Sequence, residues 1–171
     1  FINLDTEVTL EAVKGTQTNM PIYSGMMQVA QLDNNDKLPY EELGGAFNKT
    51  RFHVDQNISH HTADKLWISY LKNYQPGPDR HIYAATMEND VASVILVSNR
   101  ENEACMDFVS VVPAFQGKGA GRLIAERILY DFRTKPVVTG TQVKNIAALN
   151  FYIKCGFTKI KKSSYVLHKW G

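Results

Sequence analysis

The chain has 171 residues, of which 19 are Lys or Arg and 17 Asp or Glu, a net charge of +2 with the histidines neutral. That is the length of one ordinary domain. With 44% hydrophobic and 21% charged residues, composition excludes intrinsic disorder, collagen and coiled coil. Apolar runs such as Val94 to Val97 fall far short of the ~20 residues of a membrane span, no basic-then-apolar leader opens the chain, and +2 is too small to announce a nucleic-acid partner. Cys105 and Cys155, the only cysteines, make neither a zinc site nor a disulfide framework. The composition reads as a soluble cytoplasmic domain without nucleic-acid or membrane partner.

Phe1 to Leu10 alternates as a strand, with Val8 and Leu10 on one face and Thr9 and Glu11 on the other. A chain that opens on Phe1 within such a pattern reads as cut or processed, so residues 1–25 are expected to be a strand and connector left from an N-terminal half-domain, and 26–171 the main domain. Lys14 to Gly25 reads as connector and Met26 to Leu32 as a short strand. Asp33 to Asp36 supply turn and cap residues before a helix from Pro39 to Phe47, which Gly44-Gly45 weakens. Asn48 to His61 reads as a polar loop. A helix runs from Thr62 through Leu66, Trp67, Tyr70 and Leu71, stopped by Gln75-Pro76-Gly77-Pro78-Asp79.

Three strands follow, His81–Met87, Val91–Val97 and Ala104–Val112, with Glu88-Asn89-Asp90 as a tight hairpin turn. Gln116–Gly121 is a glycine-rich loop opening a helix whose Leu123, Ile124, Ile128, Leu129 and Phe132 form a buried stripe. Pro136 to Gln142 is a strand, Asn145 to Lys154 a helix, and Phe157–Lys161 and Ser164–Trp170 two closing strands. The fold expected is an α/β (α+β) mixture around one largely antiparallel twisted sheet with helices on both faces.

The segment from Val109 and Val111 through Pro113 to Gln116-Gly117-Lys118-Gly119-Ala120-Gly121-Arg122 carries the chemistry. A buried strand passes through a proline turn into alternating glycines and then a helix. Glycines let the main chain approach a ligand, and the free N–H groups and dipole of a helix start favour a phosphate or pyrophosphate. Lys118 and Arg122 add positive charge. The spacing fails the G-x-x-x-x-G-K-[ST] phosphate loop, because Gly119 follows Lys118, and fails G-x-G-x-x-G. A glycine-rich turn with no ligand is the alternative.

Gln116, Gly119 and Gly121 behind a Val-x-Pro strand end resemble the acetyl-CoA loop of the GNAT acetyltransferase superfamily. Asn145-Ile146-Ala147-Ala148-Leu149-Asn150-Phe151-Tyr152, continuing to Gly156-Phe157, resembles that family's N-x-x-A-x-x-x-Y-x-x-x-G-F block. The likeness covers roughly Met26 to Trp170. It implies an acetyl-CoA-dependent N-acetyltransferase, with loop amides on the CoA pyrophosphate, main chain at Val109 and Val111 on the pantetheine arm, Asn145 beside the arm, and Tyr152 as proton donor to the thiolate. Asn145 is also a good helix N-cap, and Tyr152 is otherwise an aromatic on a buried helix face.

The position matching the Glu that some members use as base is Cys105. Asp107 lies on the same strand face, as a base of raised pKa or as a carboxylate paired with Arg or Lys at the sheet surface. His60-His61 has no third ligand at a recognisable spacing, so no metal is expected. Lys159, Lys161 and Lys162 read as a solvated strand edge.

Residues Thr141 to Ile153 and Ser163 to Leu167 are similar to acetyltransferases of dTDP-linked 4-amino-4,6-dideoxygalactose, and so is Ala46 to Phe52. That likeness implies a small-molecule amine acceptor, a dTDP-amino sugar, with Arg51 and Phe52 near its cleft. Another small amine, a protein N-terminus, or a CoA-binding sensor without turnover are the alternatives. The edges left by the closing strands allow pairing into a homodimer.

Overall fold

The structure is a computed structural model that describes residues 2–22, 27–34 and 38–169. Its strands are β1 (Ile2–Ala12), β2 (Met27–Leu32), β3 (Arg80–Met87), β4 (Asp90–Asn99), β5 (Ala104–Val111), β6 (Val137–Gln142) and β7 (Lys159–His168). Its helices are α1 (Tyr40–Ala46), α2 (Arg51–Val54), α3 (His60–Asn73), α4 (Ala120–Asp131) and α5 (Ile146–Lys154). The strands form one seven-stranded sheet in the order β2-β3-β4-β5-β6-β1-β7. Every pairing is antiparallel except β5 with β6. None of the described helices is long and apolar enough to cross a membrane.

Strands β3 and β4 read as near-continuous apolar runs because both faces of the sheet are covered. Tyr83, Ala85, Ile95 and Val97 join Ile124, Ala125 and Ile128 of α4 in one core. Ile82, Ala84, Val94 and Leu96 join Leu43 of α1 and Leu71 of α3 in the other. Helices thus lie on both faces, as the alternation of side chains along a strand requires. The β3–β4 hairpin turns at Glu88 (φ 53°) and Asn89 (φ 75°), the positive-φ pair of a tight hairpin turn.

On β5, Leu96 stands opposite Phe108 and Val97 opposite Met106, so Asp107 is an extra residue that bulges the strand. The bulge resets the alternation. Ala104 and Met106 belong to the α4 core, Phe108 and Val112 to the α1–α3 core.

Several expectations need correction. The stretch from Asn48 to His61 is not all loop. Thr50 caps the four-residue α2, its hydroxyl accepting from the Phe52 amide at 3.3 Å, and Ser59 caps α3 by accepting from the Thr62 amide at 3.1 Å. The third helix therefore starts at His60, two residues before Thr62. The two closing strands are one, because Lys162 and Ser163 pair with Thr9 and Val8 of β1 instead of turning. Lys159 and Lys161 are not merely solvated: Lys159 Nζ is 2.9 Å from Glu11 Oε1, and Lys161 reaches Glu11 Oε2 at 3.4 Å and pairs with Glu103. Phe1, Met26, Trp170 and parts of the 14–25 connector and of the Asp33–Asp36 turn lie outside the described residues.

Gly44 sits where α1 and α3 touch. A Cβ there would stand 2.5 Å from Ile68 Cγ1 and 3.0 Å from Ile68 N. The glycine is thus a packing requirement, and Gly44→Ala is expected to cost about 1–3 kcal/mol by overpacking. Thermal denaturation reads this as a fall in Tm of several degrees. An unchanged Tm would mean that the two helices separate freely.

Candidate active site

The parallel register of β5 and β6 runs from Ala104 opposite Val137 to Met106 opposite Thr139 and ends there. Beyond Met106 the two strands have no further register, and β5 continues to Val111. The Val112 amide donates to Ala92 O on β4 at 2.9 Å, and the Ser93 hydroxyl donates to Ser110 O at 2.8 Å. Main-chain polar groups alternate in direction along a strand. Those of Val109 and Val111 therefore face away from β4, into the opening. Gln116 Nε2 donates to Val111 O there at 3.4 Å.

The chain leaves β5 through a 3-10 turn, Pro113–Phe115. Gly117 then adopts φ +77° and Gly119 φ +89°, backbone that L side chains avoid. Gly119 is the N-cap of α4 and offers no side chain to its amides. Among the described residues no main-chain carbonyl accepts from the amides of Gly119 to Arg122, while Leu123 N already bonds Gly119 O at 3.1 Å. The helix start is thus an open set of donors at the positive end of a dipole. Gly121 has a different reason: a Cβ would lie 3.3 Å from Val111 Cγ2 and 3.5 Å from Phe151, so it lets α4 approach β5 and α5. Lys118 Nζ lies 5.1 Å over the Phe115 ring. Arg122 Nε is 2.7 Å from Glu126 Oε1, which offsets part of the charge expected of it.

On the far side of the opening, Asn145 Oδ1 accepts from the Ala148 amide at 3.3 Å and caps α5. Tyr152, two turns further, is 5% exposed, with Phe151 and Phe157 rings at 5.2 and 5.7 Å. Burial pushes its phenol up to about 12, against a smaller opposing effect of a hydrogen bond with Thr139. The Thr139 hydroxyl in turn lies 3.3 Å from Met106 O. The Tyr152 hydroxyl therefore sits where β5 and β6 part.

A cleft of ≈ 1190 Å³ runs through this opening. Val109, Val111, Gln116, Gly117, Asn145 and Tyr152 all line it, so it brings together six of the residues singled out from the sequence. Lys118, Gly119, Ala120, Gly121 and Arg122 are outside its lining and continue the loop into α4. The lining also includes Phe47, Lys49, Arg51, Trp67 and Asp107, with Glu7 of β1. A smaller cavity of ≈ 380 Å³ adjoins it through Glu7 and Arg51, and is lined further by Phe52, Tyr165 and His168.

Asp107 accepts from the Ser98 hydroxyl and lies 3.5 Å from Arg100 Nη2, the paired state expected of a carboxylate at a sheet surface. Burial, then the Asp107 charge, push the Cys105 thiol up to about 12, so the residue at the family's base position is a neutral thiol at pH 7. His60 and His61 open α3. His53 lies between Thr50 Oγ1 (2.8 Å) and Asp64 Oδ1 (3.0 Å). Among the described residues no three His, Cys, Asp or Glu are grouped to hold a metal. Sequence reasoning missed Glu7 and Trp67 in this cleft. No local signal marks Glu7, because its place depends on which strand β1 lies beside.

Comparison with known proteins bears on this geometry. A family model described as the acetyltransferase (GNAT) family matches residues 46–157. The spore coat polysaccharide biosynthesis protein SpsD of Bacillus subtilis (strain 168) is 26% identical over 128 residues, covering 73% of this chain and 44% of that protein. The chain therefore spans less than half the length of this curated relative. An aminoglycoside acetyltransferase from an uncultured soil metagenomic sample, solved with trehalose, superposes with a TM-score of 0.55 at 17% identity, over 85% of this chain and 95% of that one. A GNAT family acetyltransferase from Elizabethkingia anophelis with acetyl-CoA bound superposes with a TM-score of 0.54 at 16% identity, over 77% and 75%. Likeness at these identities concerns the fold.

Proposed function

The chain belongs to the acetyltransferase (GNAT) family, and on that premise we propose that it moves the acetyl group of acetyl-CoA directly to the primary amine of a nucleotide-linked (dTDP) amino-deoxy sugar, with Tyr152 as proton donor. The observation that carries this reading is the parted β5–β6 pair with a neutral, buried phenol at its point, in a cleft that Lys49 and Arg51 line together with Glu7, Glu41, Glu42 and Asp107. The amides of Gly119 to Arg122 take the CoA pyrophosphate, and the Val109 and Val111 main chain takes the pantetheine arm as an added strand. Fixing the thioester in this way supplies rate by positioning. Asn145 and Gln116 flank the arm.

On the acceptor side, Arg51 and Lys49 suit a diphosphate. Phe52 and Tyr165 line the adjoining cavity, aromatic surface that suits a base. The likeness to a polysaccharide biosynthesis protein supports a sugar acceptor.

Thermal shift and thiol release test the reading together. Acetyl-CoA at 100 times its Kd is expected to add about 2.7 kcal/mol of stability, dTDP to add a second shift, and CoA thiol to appear with dTDP-4-amino-4,6-dideoxygalactose. A shift with acetyl-CoA alone, with thiol release only on glucosamine, kanamycin or peptides, moves the acceptor to another amine. Acetyl-CoA binding with no release on any of them makes the protein a CoA sensor and overturns the proposal.

A further inference from the structure

We infer that Glu7, on the N-terminal strand and outside the residues matched by the family model, is the general base that takes the proton from the acceptor ammonium; the inference rests on the acetyltransferase reading above.

Among the described residues, four carboxylates line the cleft: Glu7, Glu41, Glu42 and Asp107. Asp107 is held by Ser98 and Arg100. Glu41 is 3.1 Å from Lys72 Nζ, and both it and Glu42 are exposed on α1. Glu7 is half-buried, and among the described residues its carboxylate makes no ion pair or hydrogen bond. It is also the carboxylate shared by both cavities, where the reacting end of an acceptor whose body lies between Arg51 and β7 must pass.

The faces of the sheet settle its direction. Val8 and Leu10 of β1 belong to the same core as Tyr152, so Glu7 points to the opposite face. On β6, Thr139 and Gly140 are consecutive and therefore also face opposite sides. Leu10, opposite Thr139 in the register, shares a core with Tyr152, while a Cβ on Gly140 would stand 3.3 Å from Glu7 Oε1. Acid and base thus flank the opening at one level of β6, from its two faces. Gly140 leaves room for the Glu7 carboxylate to lie over the strand.

The proton balance follows. An acceptor R–NH3+ gives one proton to the Glu7 carboxylate, which later releases it to solvent. The free amine attacks the thioester carbon, the C–N bond forms and the C–S bond breaks. The departing thiolate takes the Tyr152 proton, and the second nitrogen proton restores the phenol. The third stays on the amide.

The other groups that titrate around Glu7 do not replace it. Arg51 and Lys49 are cations, and Cys105 and Tyr152 are neutral at pH 7. His168 on β7 is 2.5 Å from Asp55 Oδ2, and Tyr165 beside it is an exposed phenol.

The test is Glu7→Gln, with thiol release from acetyl-CoA and dTDP-4-amino-4,6-dideoxygalactose, or with kanamycin should the wild type prefer it. The variant is expected to lose about 10²-fold or more in kcat/KM for the amine at pH 7. Its acetyl-CoA-induced rise in Tm is expected to be that of the wild type. The deficit shrinks as pH rises toward the pKa of the amine, since free amine then comes from solution. Gly140→Ala, which leaves Glu7 in place but displaces its carboxylate, is expected to lower kcat/KM several-fold, and it decides the matter should Glu7→Gln not fold. Activity of either variant within twofold of wild type, or a deficit confined to KM and flat with pH, overturns Glu7 as base while leaving the acetyltransferase reading intact. A wild type silent on every amine overturns both.

Discussion

Tyr152→Phe is expected to lower kcat by about 10²-fold or more, with KM for acetyl-CoA nearly unchanged. The phenol is held neutral by burial at about 12, so at pH 7 it carries the proton that a departing thiolate needs. Phenylalanine keeps the ring between Phe151 and Phe157 and removes only the hydroxyl. Thr139 loses that partner and retains the Met106 carbonyl, so the fold is expected to stay intact. The lost interaction belongs to the transition state, in which charge develops on sulfur, and an interaction made only there lowers kcat without raising KM. A second signature comes from pH. Because Tyr152 titrates at about 12, the wild-type profile has no descending limb from this group in the range where the protein is assayed. Steady-state kinetics with acetyl-CoA varied at saturating amine give both readouts, and a kcat within threefold of wild type would remove Tyr152 from the mechanism.

The parts of this molecule that were legible in the sequence are those fixed by local periodicity. Residues 81–97 show their strands because both faces are buried, and α4 shows its apolar stripe because one face is. The loop from Gln116 to Gly121 was legible for a sharper reason: Gly117 and Gly119 do adopt positive φ, a demand that only glycine meets without strain. What stayed hidden is non-local. A four-residue helix such as α2 completes barely one turn, so no 3.6-residue period can reveal it, and its signal lies in the Thr50 cap. The sequence breaks β7 at Lys162-Ser163 because the strand is exposed over most of its length, with Val166 buried in its second half, and a strand that buries little shows little alternation. The Asp107 bulge is a two-strand property, legible only once Leu96 and Phe108 are known to be opposite. By helix propensity Gly44-Gly45 only weakens a helix, whereas Gly44 answers to Ile68, 24 positions away. The same limit hid Glu7, whose role depends on β1 lying between β6 and β7.

Gly119→Val is expected to act on the opposite kinetic constant. Gly119 holds φ +89° and ψ −2° as the N-cap of α4, a left-handed conformation that costs an L-residue roughly 1–2 kcal/mol and a β-branched one more. A Cβ at this position meets nothing within 4 Å, so no clash opposes folding and the strain is relieved by the loop moving. When it moves, the amides from Gly119 to Arg122 no longer converge, and the pyrophosphate site loses its shape. That site grips a part of CoA that does not react, in ground state and transition state alike, and loss of such uniform binding raises KM without lowering kcat. KM for acetyl-CoA is therefore expected to rise tenfold or more, with kcat at saturation within threefold of wild type. The Tm rise with acetyl-CoA shrinks in step at fixed ligand concentration. The contrast with Gly121 sharpens the test, since a Cβ there meets Val111 and Phe151 and a valine would damage packing before binding. If Gly119→Val lowers the ligand-free Tm yet leaves KM for acetyl-CoA untouched, the positive φ serves the path of the chain alone. The pyrophosphate must then be held by other groups, of which Lys118 is the nearest cation along the loop.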